Sequence, residues 1–315
     1  MKILITGAAG FIGSHTADAL LKRGDTVIAV DNFNTYYSPK DKKSNMEPAK
    51  KHKNYMPYDA EILDIEGMKA IFRQEMPDKV IHLAARAGVR PSLEDPQLYV
   101  DVNVKGVVNM LELSREFKVK NFVFGSSSSV YGANKKVPFS ETDAVNSPIS
   151  PYAASKRAGE LMCATYHHLY HLNISCMRFF TVYGPRGRPD MAPYKFTKAI
   201  MEGKEITMYG DGTTKRDYTY VDDIVSGIIA GLDRNYSFEI FNLGNSKTVS
   251  LKDFIATIES AVGKKAKIKK MPLQPGDVTI TYADLTKSRK MLGYEPKTSI
   301  DEGIRNFVEW YTKNH

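Results

Sequence analysis

Cysteine and tryptophan are scarce in this chain, with two of the first and one of the second among 315 residues. Cys163 falls in a helical stretch and Cys176 in a strand-like run, so both read as small core residues, not as a disulfide or a metal knuckle. A reducing compartment fits that usage. No apolar run approaches the ~20 residues that a membrane-spanning helix needs. The first residues already read as a strand instead of a basic and then apolar leader, which predicts a cytoplasmic protein that binds no membrane. Metal-ligand spacing is missing as well: His167 and His168 are adjacent and diverge on a helix, so no metal is expected. Gly125-Ser126-Ser127-Ser128-Ser129 is not a hydrolase nucleophile elbow. Neither repeats nor low-complexity linkers occur. Acid is in deficit, with 36 Asp and Glu against 44 Lys and Arg and a net charge of +8. Much of the excess sits in Lys40, Lys42, Lys43, Lys50, Lys51 and Lys53, read as a polar loop, and in Lys264, Lys265, Lys267, Lys269 and Lys270. Such runs are solvated surface more often than a nucleic-acid face, and they can steer an anionic small molecule, so no nucleic-acid partner is expected.

What is present is alternation. Hydrophobic residues make up 42% of the chain, enough for sizeable cores. Apolar runs at Lys2 to Thr6, Thr26 to Val30, Val80 to Leu83, Phe122 to Ser126 and Ile174 to Arg178 alternate with helical stretches at Gly67 to Glu75, Asn103 to Phe117 and Pro151 to His171. That pattern builds an α/β fold, a Rossmann-type doubly wound parallel sheet. Past about residue 180 the alternation gives way to loops, with helices near Lys195 to Glu202, Val221 to Leu232, Leu251 to Val262 and Ile300 to Tyr311. The division expected is a dinucleotide-binding domain over 1–180 and a smaller α/β substrate-binding domain over 181–315. The boundary interleaves, because Glu239 to Asn242 is apolar enough to return to the main sheet.

Two local patterns carry chemistry. The first strand runs into Gly7-Ala8-Ala9-Gly10-Phe11-Ile12-Gly13 and then a helix. Glycines let the backbone approach a pyrophosphate, and the helix amides bind its charge. The second strand ends in Asp31, where a carboxylate accepts from a ribose 2′-hydroxyl and repels a 2′-phosphate. With no arginine beside Asp31, the expected cofactor is NAD, not NADP. The second pattern is Ser150-Pro151-Tyr152-Ala153-Ala154-Ser155-Lys156. Ser150 suits an N-cap and Pro151 a first helical residue, which stacks Tyr152 and Lys156 on one face. A fixed ammonium beside the phenol, and a cationic cofactor, favour the phenolate and make Tyr152 a candidate base. An amphipathic helix with a core tyrosine and a solvated lysine has the same spacing.

These patterns recur with His82-Leu83-Ala84-Ala85, Ser126-Ser127-Ser128-Ser129-Val130-Tyr131-Gly132, Arg216-Asp217-Tyr218 with Val221-Asp222-Asp223, and Pro275-Gly276-Asp277. In that order they resemble the extended short-chain dehydrogenases/reductases, the NAD-dependent nucleotide-sugar epimerases and dehydratases, over nearly the whole chain. The run from Arg178 to Ala192 is similar to that of the UDP-glucuronate 4-epimerases. The resemblance implies interconversion of UDP-glucuronate and UDP-galacturonate through a transient 4-keto sugar, in a homodimer paired through the helices at Asn103 to Phe117 and Pro151 to His171.

It also implies roles. Tyr152, Lys156 and Ser127 are the catalytic set. Gly7, Gly10, Phe11, Ile12, Gly13, Asp31, Asn32, Glu61, Ile62, Leu83, Ala84, Ala85 and Asn103, with Tyr152 and Lys156, hold the cofactor; Glu61 stands where relatives have Asp. Val89, Arg90, Ser127, Ser128, Thr181, Arg188, Met191, Ala192, Tyr209, Arg216, Gln274 and Asp277 hold the substrate. Arg188 and Thr181 are expected to grip the uronate carboxylate, Arg216 the diphosphate and Tyr209 the uracil. Gln274 replaces a phosphate-binding arginine of relatives, for which Arg186 or Arg188 could compensate. Dehydratases carry an Asp-Glu pair where this chain has Ser128 and Ser129, and decarboxylases a glutamate where it has Ser129. UDP-glucuronate decarboxylation and UDP-glucose 4-epimerisation are the alternatives, and a non-catalytic NAD-sensing or nucleic-acid-binding relative is the alternative of another class.

Overall fold

Ile3, Leu4 and Ile5 are fully buried in the first strand, and their alternation feeds two cores. Ile3 and Ile5 join one apolar cluster and Leu4 the other, as successive side chains of a strand must. The computed structural model describes residues 1–272 and 279–315. Its strands are β1 (Lys2–Thr6), β2 (Thr26–Asp31), β3 (Tyr55–Asp59), β4 (Lys79–His82), β5 (Asn121–Ser127), β6 (Ile174–Phe179), β7 (Thr181–Tyr183), β8 (Glu205–Tyr209), β9 (Lys215–Tyr220), β10 (Phe238–Leu243), β11 (Thr248–Ser250), β12 (Lys267–Met271) and β13 (Ile280–Thr281). Seven form one sheet in the order β10-β6-β5-β4-β1-β2-β3, all pairings parallel. The winding reverses between β1 and β4, and in such sheets ligands bind beyond the carboxyl ends of the strands at that point.

β10 comes from the second half of the chain and pairs with β6 from Phe238 opposite Ile174 to Leu243 opposite Phe179. Smaller sheets, β11-β9-β13 with β7 on β9, and β12-β8, make up the rest of that half. The first cluster continues from the sheet face to Phe254, Leu285 and Phe307, so the second half is packed on the first by ordinary core residues. Cys163 and Cys176 are buried in the second cluster, as their sequence context predicts.

Several segments differ from the sequence reading. Pro39–Lys50 is a helix, not a polar loop; Ser38 caps it by accepting from the Asp41 amide and Pro39 begins it. Its apolar stripe is only Met46 and Ala49, completed by the buried polar residues Lys42 and Asn45, and Asn45 Nδ2 donates to Ala9 O at 3.1 Å. Charge density hid a helix that packs against the glycine turn. β3 also went unread, because an edge strand needs little burial and tolerates Pro57, which has no amide to donate. Past residue 180, where loops were expected, β7, β8, β9, β11, β12, β13 and a short helix at Thr286–Leu292 also form; other differences lie at boundaries. β5 runs from Asn121 through Ser127, one residue beyond the expected run at each end, and the Gly106–Glu116 helix is preceded by one widened turn at Asp101–Lys105.

Candidate active site

A cavity of about 380 Å³ opens at the reversal point, lined by β1, β2, β4 and β5 ends and the segment after β6. That size is ordinary for a small-molecule site, ~300–1,000 Å³. At one end lies the glycine turn. Gly7 has φ +72°, and a Cβ on Gly13 would stand 2.1 Å from Gly7 O, so only glycine lets the Phe11–Arg23 helix begin this close to β1. Gly10 caps that helix without a side chain, and the first turn has no acid. Unclaimed amide donors of a helix start therefore lie at a wall made of Gly10, Phe11, Ile12 and Gly13, where an anion is favoured.

Asp31 closes this end. Its carboxylate accepts from Ala9 N at 3.1 Å and Phe33 N at 2.9 Å, with Lys42 Nζ at 3.8 Å. Burial pushes its pKa up, and Lys42 and the two amides oppose that. Asn32 donates to Glu61 Oε2 at 2.5 Å, while Leu63 N donates to Glu61 Oε1, so the predicted pair shares one lining with Ile62, Leu83, Ala84 and Ala85. Asn103 is buried behind the wall. It accepts from Arg86 N and donates to Arg86 O and Ser155 Oγ at 2.7, 2.9 and 3.0 Å, tying the loop after β4 to the Tyr152 helix.

The catalytic candidates converge. Ser150 accepts from Ala153 N at 3.1 Å with Pro151 in the first turn, so the Pro151–Tyr170 helix starts as its sequence predicts. Tyr152, Lys156, Ser127 and Ser128 all line the cavity. Ser127 is the neighbour that most favours the Tyr152 phenolate, and its hydroxyl donates to Ser129 Oγ at 3.2 Å. The expected electrostatics need correction. Burial raises the Tyr152 pKa, and what opposes it is Ser127 and the Arg188 guanidinium, not Lys156. Lys156 donates to Gly125 O at 2.7 Å beneath the Phe124 ring, and burial brings its pKa down to about 8.

At the other end the predicted substrate residues divide. Val89, Thr181, Arg188 and Met191 line the cavity, and Thr181 is placed there by the pairing of β7 with β9. Among the described residues, the wall does not include Arg90, Ala192, Tyr209 or Arg216. Arg90 instead lies over the Tyr209 ring at 5.5 Å, and Arg216 Nη1 donates to Lys215 O. Arg186 donates to Asp18 on the first helix at 2.7 Å. Gln274 and Asp277 lie outside the described residues.

A family model described as GDP-mannose 4,6 dehydratase matches residues 4–307. The chain belongs to that family. Within it, the chain is 47% identical to a UDP-glucuronate 4-epimerase of Thermodesulfobacterium geofontis, over 99% of this chain and 96% of that protein. The crystal structure of UDP-glucuronic acid 4-epimerase from Bacillus cereus in complex with UDP-glucuronic acid and NAD is similar at TM-score 0.94 and 37% identity, covering 100% of both chains. A UDP-glucose 4-epimerase from Thermotoga maritima, solved with UDP-glucose, is similar at TM-score 0.91 and 34% identity over 99% of each chain.

In this member of the family, several residues that the sequence reading passed over also line the cavity: Asn34, Tyr36, Tyr37, Lys42, Ser129 and Phe179. The Tyr36-Tyr37 doublet just past Asp31 was a usable signal, since adjacent aromatics in a polar segment need a surface to cover. Lys42 had none, because a lysine in a lysine-rich run looks solvated. Asp217 is a structural residue of the Arg-Asp-Tyr motif: Asn245 N, Ser246 N, Ala283 N and Thr219 Oγ1 all donate to its buried carboxylate. Among the described residues, no helix is long and apolar enough to cross a membrane.

Proposed function

We propose that this chain interconverts UDP-glucuronate and UDP-galacturonate by NAD-dependent epimerisation at C4. The observation that carries the reading is the convergence of Ser127, Tyr152 and Arg188 on one cavity, opposite a glycine turn that ends in an uncapped helix. The donor set fits NAD: amide donors without a competing acid for the pyrophosphate, and the Asp31 carboxylate for a ribose hydroxyl. Bound NAD supplies a reversible hydride acceptor for C4 and a positive ring that favours the Tyr152 phenolate.

The chain's own residues do the rest. Tyr152 takes the proton from the C4 hydroxyl, and Ser127, which lines the same cavity, holds the same sugar oxygen as it becomes a carbonyl. Lys156, anchored on Gly125 O, keeps a positive charge under the reacting pair. The 4-keto sugar turns about its diphosphate linkage and Tyr152 returns the proton to the C4 oxygen; inversion, with no net oxidation, would follow from return of the hydride to the opposite face of C4. That keto sugar is also a β-keto acid. Thr181 and Arg188 hold its carboxylate in a conformation that disfavours loss of carbon dioxide.

The cofactor role belongs to residues 1–180 and the larger share of sugar binding to 181–315, with Val89, Ser127 and Tyr152 reaching the sugar from the first part. Leu161, Leu169 and Tyr170 stay about half-exposed on the Pro151–Tyr170 helix, which supports a homodimer through that face. The free, buried cysteines support the cytoplasm as its compartment, and a cavity of this kind supports a small-molecule substrate with no nucleic-acid partner.

One observation favours a second reading, UDP-glucose 4-epimerisation: Arg188 is already bound by Asp190. Incubation with NAD and UDP-glucuronate, followed by proton NMR, separates the readings. UDP-galacturonate is the expected product; a UDP-pentose would move the assignment to decarboxylation, and conversion of UDP-glucose alone to the neutral epimerase. Arg188→Ala is expected to raise KM for UDP-glucuronate by about 10- to 100-fold, from ~1.5–3 kcal/mol for hydrogen bonds to a charged group. Initial rates with both sugars check this, and an unchanged uronate preference would dismiss the clamp.

A further inference from the structure

Arg188 does not present an open fork to the cavity. Its Nε and Nη2 donate to the two oxygens of Asp190 at 2.9 and 2.6 Å, the parallel pair of bonds that a substrate carboxylate would require. The guanidinium lies on the Tyr36 ring, 5.3 Å from its centre, and the Tyr36 hydroxyl donates to the same Asp190 at 3.4 Å. Tyr36 comes from the segment after β2, while Arg188 and Asp190 come from the segment after β7. The three therefore join two walls of the cavity at its sugar end. Arg188 lines the cavity, whereas Asp190 is solvent-exposed and outside the lining, so the guanidinium stands between an internal acid and the place of an incoming one.

We propose that Asp190 is a specificity-determining exchange partner, which holds the Arg188 fork when no uronate carboxylate does and takes it back while the keto sugar turns. The inference rests on the uronate reading above and adds to it a second carboxylate. A clamp without an alternative partner would resist release, because letting the sugar go would strand a guanidinium without a counter-charge. It would then bind the ground state tightly without assisting turnover. With Asp190 two residues away, the grip passes from one carboxylate to another and the charge on Arg188 stays matched throughout. A neutral hexose offers nothing to exchange and leaves Arg188 with Asp190.

The test uses the NAD-loaded enzyme, with binding measured by calorimetry and turnover by NMR. Asp190→Asn is expected to tighten UDP-glucuronate binding about three- to tenfold and to lower kcat at least tenfold, with UDP-glucose affinity unchanged within about twofold. Asp190→Glu, which keeps a carboxylate, should restore wild-type values. If Asp190 only orients Arg188, the Asn variant will bind uronate more weakly and lose kcat/KM instead, and the proposal fails. Equal affinity of the wild-type enzyme for the two sugars would bring down the uronate reading and the proposal together, whereas wild-type preference with weaker binding in the Asn variant brings down the proposal alone.

Discussion

Tyr152→Phe is expected to lower kcat by about 10²- to 10⁴-fold, the range for loss of a positioned proton-transfer group, while NAD stays bound. The change removes one oxygen. Phenylalanine keeps the ring that meets Tyr99 edge to face at 6.2 Å, and it leaves the glycine turn and Asp31 untouched. NAD content of the purified variant, measured after denaturation, should therefore match that of the wild type. Near-normal turnover would remove Tyr152 from the proton path. The pH profile gives a second check. Burial lowers Lys156 to about 8, so its ammonium is present below that pH and lost as pH rises through it. The pH profile of kcat/KM should accordingly fall on the alkaline side near that value; a flat profile to pH 10 would mean that the lysine charge is immaterial.

Glu160→Ala is expected to destabilise the protein by about 3–5 kcal/mol, the range for breaking one partner out of a buried ion pair. Glu160 and Arg178 side chains are both fully buried. The carboxylate accepts from Arg178 Nε and Nη2 at 2.8 and 2.9 Å, from Ser126 Oγ at 2.7 Å and from Arg157 Nη1 at 3.0 Å. Alanine would leave the Arg178 guanidinium in the core against the Tyr131 ring with no counter-charge. Denaturant unfolding measures the loss, and a change under about 1 kcal/mol would mean that water reaches the gap. Replacing both residues by methionine should recover most of the stability, since buried pairs exchange for apolar side chains at little net cost. Catalysis should fall even in that double variant, because Ser126 precedes Ser127 and Gly125 O holds Lys156 on the same strand.

What was legible in the sequence was whatever one short segment determines. Ser150 and Pro151 fix a helix start by local hydrogen bonding, and the glycine turn fixes a close approach that no other residue allows, so both appear where their spacing puts them. Residues whose role depends on another segment were harder. Lys42 is buried because Asp31, on a separate strand, offers it a charge, and nothing within the Pro39–Lys50 run says so. Arg188 was legible as a carboxylate ligand by its chemistry, but the carboxylate it holds is Asp190, a partner with the same chemistry as the one sought. Tyr209 and Arg216 sit on β8 and β9, outside the main sheet, where motif order gives no distance to the cavity.

The return of β10 to β6 has a consequence for how the chain is made. β6 ends at Phe179 and its partner begins at Phe238, so roughly 60 residues must be synthesised before that edge is covered. At about 5–20 residues per second the interval is ~3–12 s. During it a nascent chain carries a nearly complete sheet with one unpaired apolar border, the kind of surface that recruits chaperones or a neighbouring chain. Truncation near residue 180 would make that interval permanent, which is why residues 1–180 alone are not expected to survive as a fragment.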